Sequence, residues 1–532
     1  MTNRRRTGEG VEGRDAASAH RLELIGFVAI VVLAALLRLV DLPTRGTWDA
    51  DQGHDMLVLR DLVVNGQVPL LGPPTSIGDF HHGVLYYWIL APAAAISGAD
   101  PVAVTAAIAL GGTLAVAMTW WLARSIGGPI AGLVAGFLMA ISASAVEEST
   151  FIWNPNLIAL SSSIALAAAW RAWTSGRARW WVVAGAGCVV TMHLHVLGVV
   201  LSPVVLGLLV TDLRRTREPH RRVLVRAGIA WLAILAASYV PLAIHEGQTG
   251  GGELRAAVAF LTSGAPADIA LPARFAIVGL RVIAWPLTGL VTVAPVVALV
   301  SAALVVVLTV WRAVATPAPT GQERVAVRWL GLGLTWTVVA LAVGASGLAT
   351  VVLGLPNDHY HAFADPIVFV LVGVGLGAVA RWGGRVGSVR AGALATALVV
   401  LLLALWNVTQ QPPLVAPDGG WPAAAAAARR IERLLPSGPT EIASLPSIKG
   451  PDGVRFPLVQ LGAALPEIVP ASAPPAPDAV ARIVLCDQLF RTAIGADCGG
   501  PAEDPVATSV GLVLADRFQA APGRWVSLYV PG

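Results

Sequence analysis

Long apolar runs recur through residues 22–410, separated by polar, charged or proline-bearing loops. Each run is close to the roughly 20 residues that cross bilayer hydrocarbon as a helix. The pattern predicts spans at 22–40, 101–123, 129–146, 156–173, 180–193, 195–211, 226–245, 287–312, 329–353, 363–380 and 391–409, about eleven in all. Residues 180–211 divide into two short helices around His193 and His195, because the basic loops on both sides require an even number of crossings. Residues 1–21 form a basic tail with Arg4-Arg5-Arg6, expected to be unstructured and cytoplasmic. The first span is longer than a signal-peptide core, and Arg38-Leu39-Val40-Asp41-Leu42-Pro43 offers no small-residue cleavage site, so it reads as a retained helix.

Two segments break the pattern. Residues 41–100 form a long first loop, in which residues 83–97 are apolar but short and carry Pro92. That stretch reads as interfacial or re-entrant, and its Tyr86-Tyr87-Trp88 cluster suits the headgroup layer. Residues 412–532 are rich in Pro, Ala and Gly, with strand-like runs at 481–486 and 525–530 and a helix expected at 429–435.

Composition agrees with this layout: 56% of the 532 residues are hydrophobic and 13% are charged. Mean hydropathy is +0.71. Lipid tolerates only helices or closed barrels. The expected fold class is therefore an all-α polytopic membrane protein, with the transmembrane domain at 22–411 and a small extracytoplasmic α/β domain at 412–532.

The net charge of +4 is small, but its distribution is informative. Arg124, the Arg171–Arg179 loop, the Arg214–Arg226 loop, Arg312, Arg324, Arg328, Arg381, Arg385 and Arg390 fall in alternate loops. The positive-inside rule then sets the N-terminus and those loops in the cytoplasm, and loop 41–100 and the C-terminal domain outside. Cys188 lies in an apolar run, whereas Cys486 and Cys498 either pair in an oxidising compartment or remain free thiols.

Candidate chemistry gathers in the loops assigned to the outside. Thr47-Trp48-Asp49-Ala50-Asp51-Gln52-Gly53-His54-Asp55 carries three carboxylates and a histidine directly after the first span. Asp79, His81, His82, Glu147, Glu148, His193, His195, His245, Glu246, Asp358, His359, His361 and Asp365 fall on the same side. Solvation of surface loops explains any one of these residues less specifically; the whole set suggests a polar cavity at one membrane face. Asp51 and Asp55, at i and i+4, share a face if the loop is helical there.

This layout resembles the GT-C glycosyltransferases, most nearly the protein O-mannosyltransferase and aminoarabinose-transferase group (glycosyltransferase family 39 and relatives). The motifs that carry the resemblance are Asp51-Gln52, then His82-Gly83-Val84-Leu85-Tyr86-Tyr87, then Asp100-Pro101, and Trp153-Asn154-Pro155-Asn156 in the second outer loop. They cover roughly residues 22–250. There are departures: Gln52 stands where the group has a second acid, and Gly83 where it has proline. Ser149-Thr150-Phe151 stands where an arginine is common.

The resemblance implies transfer of a sugar from a polyprenyl-phosphate carrier to a lipid, glycan or protein acceptor, with inversion. A carboxylate is then needed as general base for an acceptor hydroxyl. Asp51 is assigned that role, with Asp49 second. The leaving phosphate calls for cations or donors. Arg274 and Arg281, seven apart in the amphipathic stretch 272–286, are candidates, although snorkelling arginines anchor helices in the same way. Substrate contacts are further assigned to Asp55, His82, Tyr86, Glu147, Glu148, Asn154, His359 and His361. No cofactor is expected. Asn357-Asp358-His359-Tyr360-His361 leaves a divalent cation open without a diagnostic ligand spacing. His193 and His195 suit capping or core hydrogen bonding better than ligation.

Other classes find little support. There is no Gly-rich phosphate loop, no His-Glu-x-x-His and no basic, aromatic-laced surface for nucleic acid. A transporter or flippase of lipid-linked sugars would place charges near the midplane, where this sequence has almost none. A non-catalytic envelope-assembly protein leaves the acidic loop without a purpose. High Ala, Val, Gly and Arg with a single lysine, Lys449, points to a high-GC bacterium and hence a bacterial polyprenyl carrier.

Overall fold

The computed structural model describes residues 4–75, 80–263, 269–314, 321–345, 348, 358–382, 389–508 and 511–531. Asp79, Asn357 and Arg385, and the side chains of Asp358 and Arg390, lie outside the described residues.

The chain is a multi-pass membrane protein: ten described helices are long and apolar enough to cross a membrane. In chain order the helices are α1 Arg4–Leu39, α2 Ala50–Val64, α3 Leu85–Ser97, α4 Pro101–Gly127, α5 Pro129–Ile141, α6 Ala143–Glu147, α7 Ile158–Ser175, α8 Arg179–Leu194 and α9 Leu201–Arg215. They continue with α10 His220–Ser238, α11 Val240–Thr249, α12 Gly252–Ser263, α13 Leu271–Thr288, α14 Pro295–Val314, α15 Gly321–Gly344, α16 Asp365–Trp382 and α17 Val389–Thr409. The tail expected to be unstructured is helical from Arg4 and continuous with the first span.

The count differs from the expected eleven for two reasons. Helices α5 and α8, with 13 and 16 residues, fall below spanning length although both pack inside the bundle. The amphipathic stretch 272–286 is a helix of its own, α13, so the next span begins at Pro295 rather than at 287.

Burial grades the helices by position. The window His359–Trp382 is 94% buried and forms the bundle's axis, whereas Ser18–Leu39 and Ala391–Thr409 are 22% buried and turn apolar side chains outward. Val296, Leu299, Val300 and Val307 of α14 are exposed in the same way. In a soluble protein such a surface would aggregate; in a bilayer it faces lipid.

The two ends of the bundle differ in chemistry. One end is closed by arginines: Arg124 pairs with Glu23, Arg312 with Glu323, and Arg215 with Asp212. There Arg381 donates to the Gly127 carbonyl at 2.6 Å. The other end carries the loop 40–100, the turn after α5, the turn after α8 and the C-terminal domain. At that end Arg38 is wholly buried and donates to Ala140 O at 3.0 Å, Ala34 O at 3.2 Å and Met139 O at 3.3 Å. A cation among the last carbonyls of α5 complements that helix's C-terminal dipole.

The C-terminal domain has α18 Gly420–Glu432 and α19 Asp452–Gln460 on a five-stranded sheet. The strands are β1 Thr440–Leu445, β2 Glu467–Ile468, β3 Ala481–Asp487, β4 Leu512–Ala521 and β5 Arg524–Pro531, in order β2-β1-β3-β5-β4. Strands β1, β2 and β3 are parallel, and β5 runs antiparallel to both β3 and β4. The helix expected at 429–435 starts nine residues earlier and ends at Glu432. Ala428 and Ile431 of α18 pack with Ile442, Ile483 and Leu528 of the sheet in a core of its own. Cys486 and Cys498 form a disulfide, and Cys188 is buried and free.

This domain is seated on the first loop through Trp48. The Trp48 indole donates to Gly453 O at 2.8 Å, and its ring lies 4.5 Å from Trp421 and 5.8 Å from Phe456. Asp418 accepts from the Trp48 amide at 3.1 Å, and Thr44 O accepts from Ala416 N at 2.9 Å.

Candidate functional site

The acidic loop is a helix. Asp49 is the N-cap of α2, and its amide donates to the Gln52 side-chain oxygen at 2.9 Å. Asp51 is in the first turn, so both acids sit at the positive end of the helix dipole. Gln52 is buried and uses both ends of its amide: Nε2 donates to Ile152 O at 2.9 Å. A carboxylate could accept from Asp49 but could not donate to Ile152. The departure from an acidic pair at this position therefore has a structural reason.

The three carboxylates of α2 have different surroundings. Asp49 is held by two cations of the C-terminal domain: Lys449 on one oxygen and Arg524 on the other at 3.1 Å. Asp55 is buried and accepts from the hydroxyls of Tyr86 and Tyr87, each at 2.8 Å. Burial pushes its carboxyl up to about 7, against the pull of His54 and the two phenols. Asp55 and Tyr86 thus fasten α2 to α3 and are closed to solvent. Asp51 is exposed and makes no side-chain hydrogen bond within the described protein. Although open to solvent it is flanked by protein on several sides, and that desolvation raises its carboxyl above the usual range. Lys449 and His54 act to lower it and Asp49 to raise it.

His54 lies one turn along, its Nδ1 3.1 Å from Asp452 of α19. That hydrogen bond raises the His54 imidazole above its ordinary value. Burial opposes ionisation of Asp452, but the bonds from His54 and Arg455 hold it below the usual carboxylate range. Sequence reasoning passed over Lys449, Asp452 and Arg524, which stand between 398 and 476 residues from their partners in and before α2. The one signal was that Lys449 is the chain's only lysine.

A second group of side chains forms a row from loop to loop. The His82 ring lies 4.8 Å from His195, and His195 stacks on Tyr360 at 4.5 Å. His359 is 4.1 Å from Tyr360 and 4.0 Å from Trp153. His359 and His361 are buried. His195 caps the following turn, accepting from Leu197 N at 3.2 Å, and His193 bonds Ser238 at 2.9 Å. Desolvation lowers the His82 imidazole to about 4, so the ring is neutral at ordinary pH. Its Nδ1 is buried without a hydrogen-bond partner.

Gly83 explains the missing proline. Its N–H donates to His193 O at 3.1 Å, and a Cβ there would lie 1.9 Å from His193 Nδ1. Asn154, of the Asn-Pro motif, is buried and donates to Leu194 O at 2.5 Å, which pins the second loop to the turn after α8. Asp100, of the Asp-Pro pair, caps α4 by accepting from Val102 and Ala103 amides. Glu147 is exposed, and desolvation raises its carboxyl; Glu148 is buried beside it. Arg281 is buried and reaches Leu348 O. Arg274, two turns earlier on α13, is half-buried, and its Nε has no partner.

Two cavities adjoin these groups. One of about 340 Å³ is lined by His54, His81, His245 and Tyr87. The other, about 280 Å³ and mostly apolar, is lined by His82, His193, Tyr239, Val196 and Val199. They share Leu70, Leu71 and His81. Val196 and Val199 are exposed, so the apolar cavity opens to the surface of the bundle. Among the described residues no group of three or more His, Cys, Asp or Glu is arranged to hold a metal ion.

Bundle, first loop and seated C-terminal domain together define the GT-C fold, of the type seen in protein mannosyltransferases and ArnT. Residues 81–241 match the family described as dolichyl-phosphate-mannose-protein mannosyltransferase. The fold is similar to ArnT from Cupriavidus metallidurans bound to undecaprenyl phosphate, with a TM-score of 0.62 at 13% identity over 94% of this chain and 97% of that one. ArnT in the apo state matches with a TM-score of 0.60 at 14% identity over 96% of this chain and 98% of that one. The Archaeoglobus fulgidus oligosaccharyltransferase in complex with Zn and sulfate matches with a TM-score of 0.53 at 13% identity, over 88% of this chain and 68% of that one. No curated protein matches by sequence.

Proposed function

We propose that the protein is a glycosyltransferase that moves a sugar from a polyprenyl-phosphate carrier to an acceptor hydroxyl at the outer face of the membrane, with Asp51 as general base. The observation that carries the reading is the division of labour on α2. Asp49 is neutralised by Lys449 and Arg524, Asp55 is buried under two tyrosines, and Asp51 alone is solvent-open and unbonded. A base must reach the proton it removes, and only Asp51 has that freedom. A carboxyl raised above its usual range is also a stronger base than an ordinary aspartate.

The step balances as an in-line displacement. The acceptor oxygen gives its proton to the Asp51 carboxylate as its bond to the anomeric carbon forms. The bond from that carbon to the phosphate oxygen breaks on the opposite face, and polyprenyl phosphate leaves as an anion. Inversion follows from the single displacement. Arg274, with its unpartnered Nε, and the neutral His82 are the groups available to donate to that phosphate. The apolar cavity beside His82, open to the surface of the bundle at Val196 and Val199, suits a prenyl chain. ArnT, of similar fold, has been captured with undecaprenyl phosphate. The arginine-closed end of the bundle agrees with a cytoplasmic face opposite the site.

The test is release of polyprenyl phosphate from a panel of undecaprenyl-phosphate-linked sugars by the purified protein in lipid nanodiscs. Acceptor-dependent release from at least one donor is the expected result. Transport of intact donors across vesicles without release would overturn the reading.

A further inference from the structure

The C-terminal domain does more than sit on the first loop. Its segment 446–453 meets α2 backbone to backbone. A Cβ on Gly53 would fall 2.1 Å from Asp452 O, and one on Gly453 would fall 2.9 Å from the Asp49 carbonyl carbon. Lys449 is at the close of a turn, its amide donating to Pro446 O at 3.0 Å, and its ammonium meets the Asp49 carboxylate. Arg524 of β5 takes the other Asp49 oxygen, donates to Trp48 O at 2.9 Å, and lies 3.6 Å from Asp487. The N-terminal turn of α2, which carries Asp51, is thus gripped from outside the membrane domain.

We infer that Lys449 is a positioning residue of the catalytic site: it neutralises Asp49 at the N-cap of α2 and so sets the charge environment and aim of Asp51. The C-terminal domain is then part of the active site rather than an appended module.

The two cations on Asp49 have separable roles. Arg524 ties Trp48, Asp49 and β3 together and acts as a strut. Lys449 also acts on Asp51 itself. The titratable groups that act with Asp51 are Asp49, His54 and Asp55 from its own helix, Tyr86 and Tyr87 from α3, and Lys449 from the C-terminal domain. Removing Lys449 leaves Asp49 with one cation fewer and Asp51 facing more uncompensated negative charge. Both changes favour the protonated acid.

This inference rests on Asp51 as the base, but its test needs no substrate. The full-length protein in nanodiscs is treated with a water-soluble carbodiimide and glycinamide across the carboxylate titration range, and Asp51 modification is read by peptide mass spectrometry. The carboxyl oxygen adds to the carbodiimide carbon as the acid's proton passes to its nitrogen, and glycinamide then displaces the urea, so the pH midpoint of labelling reports the proton on Asp51. The Lys449→Met variant is expected to shift that midpoint upward, and Lys449→Arg to restore it. Arg524→Met, which removes a cation from Asp49 but none that acts on Asp51 directly, is expected to lower thermal stability and to shift the midpoint less than Lys449→Met does. An unmoved midpoint in Lys449→Met, or an equal shift in Arg524→Met, overturns the inference. Transfer activity that survives Asp51→Asn would instead remove the functional reading and leave the labelling result standing, so the two failures are distinct.

Discussion

The Gly83 N–H donates to the His193 carbonyl at 3.1 Å, and the Gly83 Cα lies so close to the His193 ring that a Cβ would stand 1.9 Å from Nδ1. Loop 81–84 and the end of α8 are therefore in register only with glycine at this position. Proline would lose the donor and add the clash. Gly83→Ala is expected to cost about 1–3 kcal/mol through overpacking. Gly83→Pro is expected to cost more, since the His193 carbonyl also loses its partner. Thermal unfolding in detergent measures both. Equal melting of wild type and Gly83→Pro would show that the contact is not maintained.

Gln52 makes a related point from the other side of the site. Its amide accepts from Asp49 N and donates to Ile152 O, each at 2.9 Å. Gln52→Glu keeps the acceptor, loses the donor and sets a carboxylate against a carbonyl in a buried place. The expected loss is about 1–3 kcal/mol by the cost of an unsatisfied buried group. A Glu variant as stable as wild type would remove the donor role from Nε2.

Asp55 gives a stability–pH signature. Its folded carboxyl is pushed up to about 7 from an ordinary 3.8 by burial, so the native state holds the proton more tightly than the unfolded chain. Stability from this group is fully present below the unfolded value and is lost as pH rises through the folded one. From about pH 4 to about pH 7 the wild type should therefore lose stability relative to Asp55→Asn. Melting curves for both proteins across that window check the sign. A wild type that gains stability with pH against the variant would contradict it.

The Cys486–Cys498 bond closes a 12-residue separation between β3 and the following loop, next to Asp487, which lies beside Arg524. Closing a loop of this length is worth roughly 2–4 kcal/mol. Reduction, or Cys498→Ser, is expected to raise protease cleavage within 440–531 while the membrane bundle stays resistant. Cleavage that is unchanged by reductant would show that the bond bears no load in the domain.

Parts of this arrangement were legible in the sequence, for identifiable reasons. Spans follow from apolar length, which the bilayer dictates locally. Asp51 and Asp55 share one helix, and their i, i+4 spacing is a local signal. The span expected from 101 opens at Pro101, directly after Asp100. What stayed hidden depends on partners far along the chain. Asp49 looks as free as Asp51 until Lys449 and Arg524 are brought to it. Asp55 and Tyr86 look like ligands until they are seen bonded to each other. Asn154 looks like a substrate contact until it is found on the Leu194 carbonyl. The span expected at 287–312 begins at Pro295, because the apolar residues between the end of α13 and Pro295 carry no local signal that sets them apart from a span. Residue type is legible locally, and tertiary pairing then sorts which polar side chains the protein itself occupies.

The central claim is that one carboxylate of three on α2 does the chemistry. It is tested most directly by single-turnover transfer of labelled sugar from an undecaprenyl-phosphate donor that the wild type uses, with Asp49→Asn, Asp51→Asn and Asp55→Asn side by side at matched folded fraction. The account predicts that Asp51→Asn loses about 100-fold or more of the rate, the scale of a general base, while retaining the wild-type melting curve. It predicts that Asp49→Asn and Asp55→Asn lose stability and keep measurable transfer. Full activity in folded Asp51→Asn would contradict it.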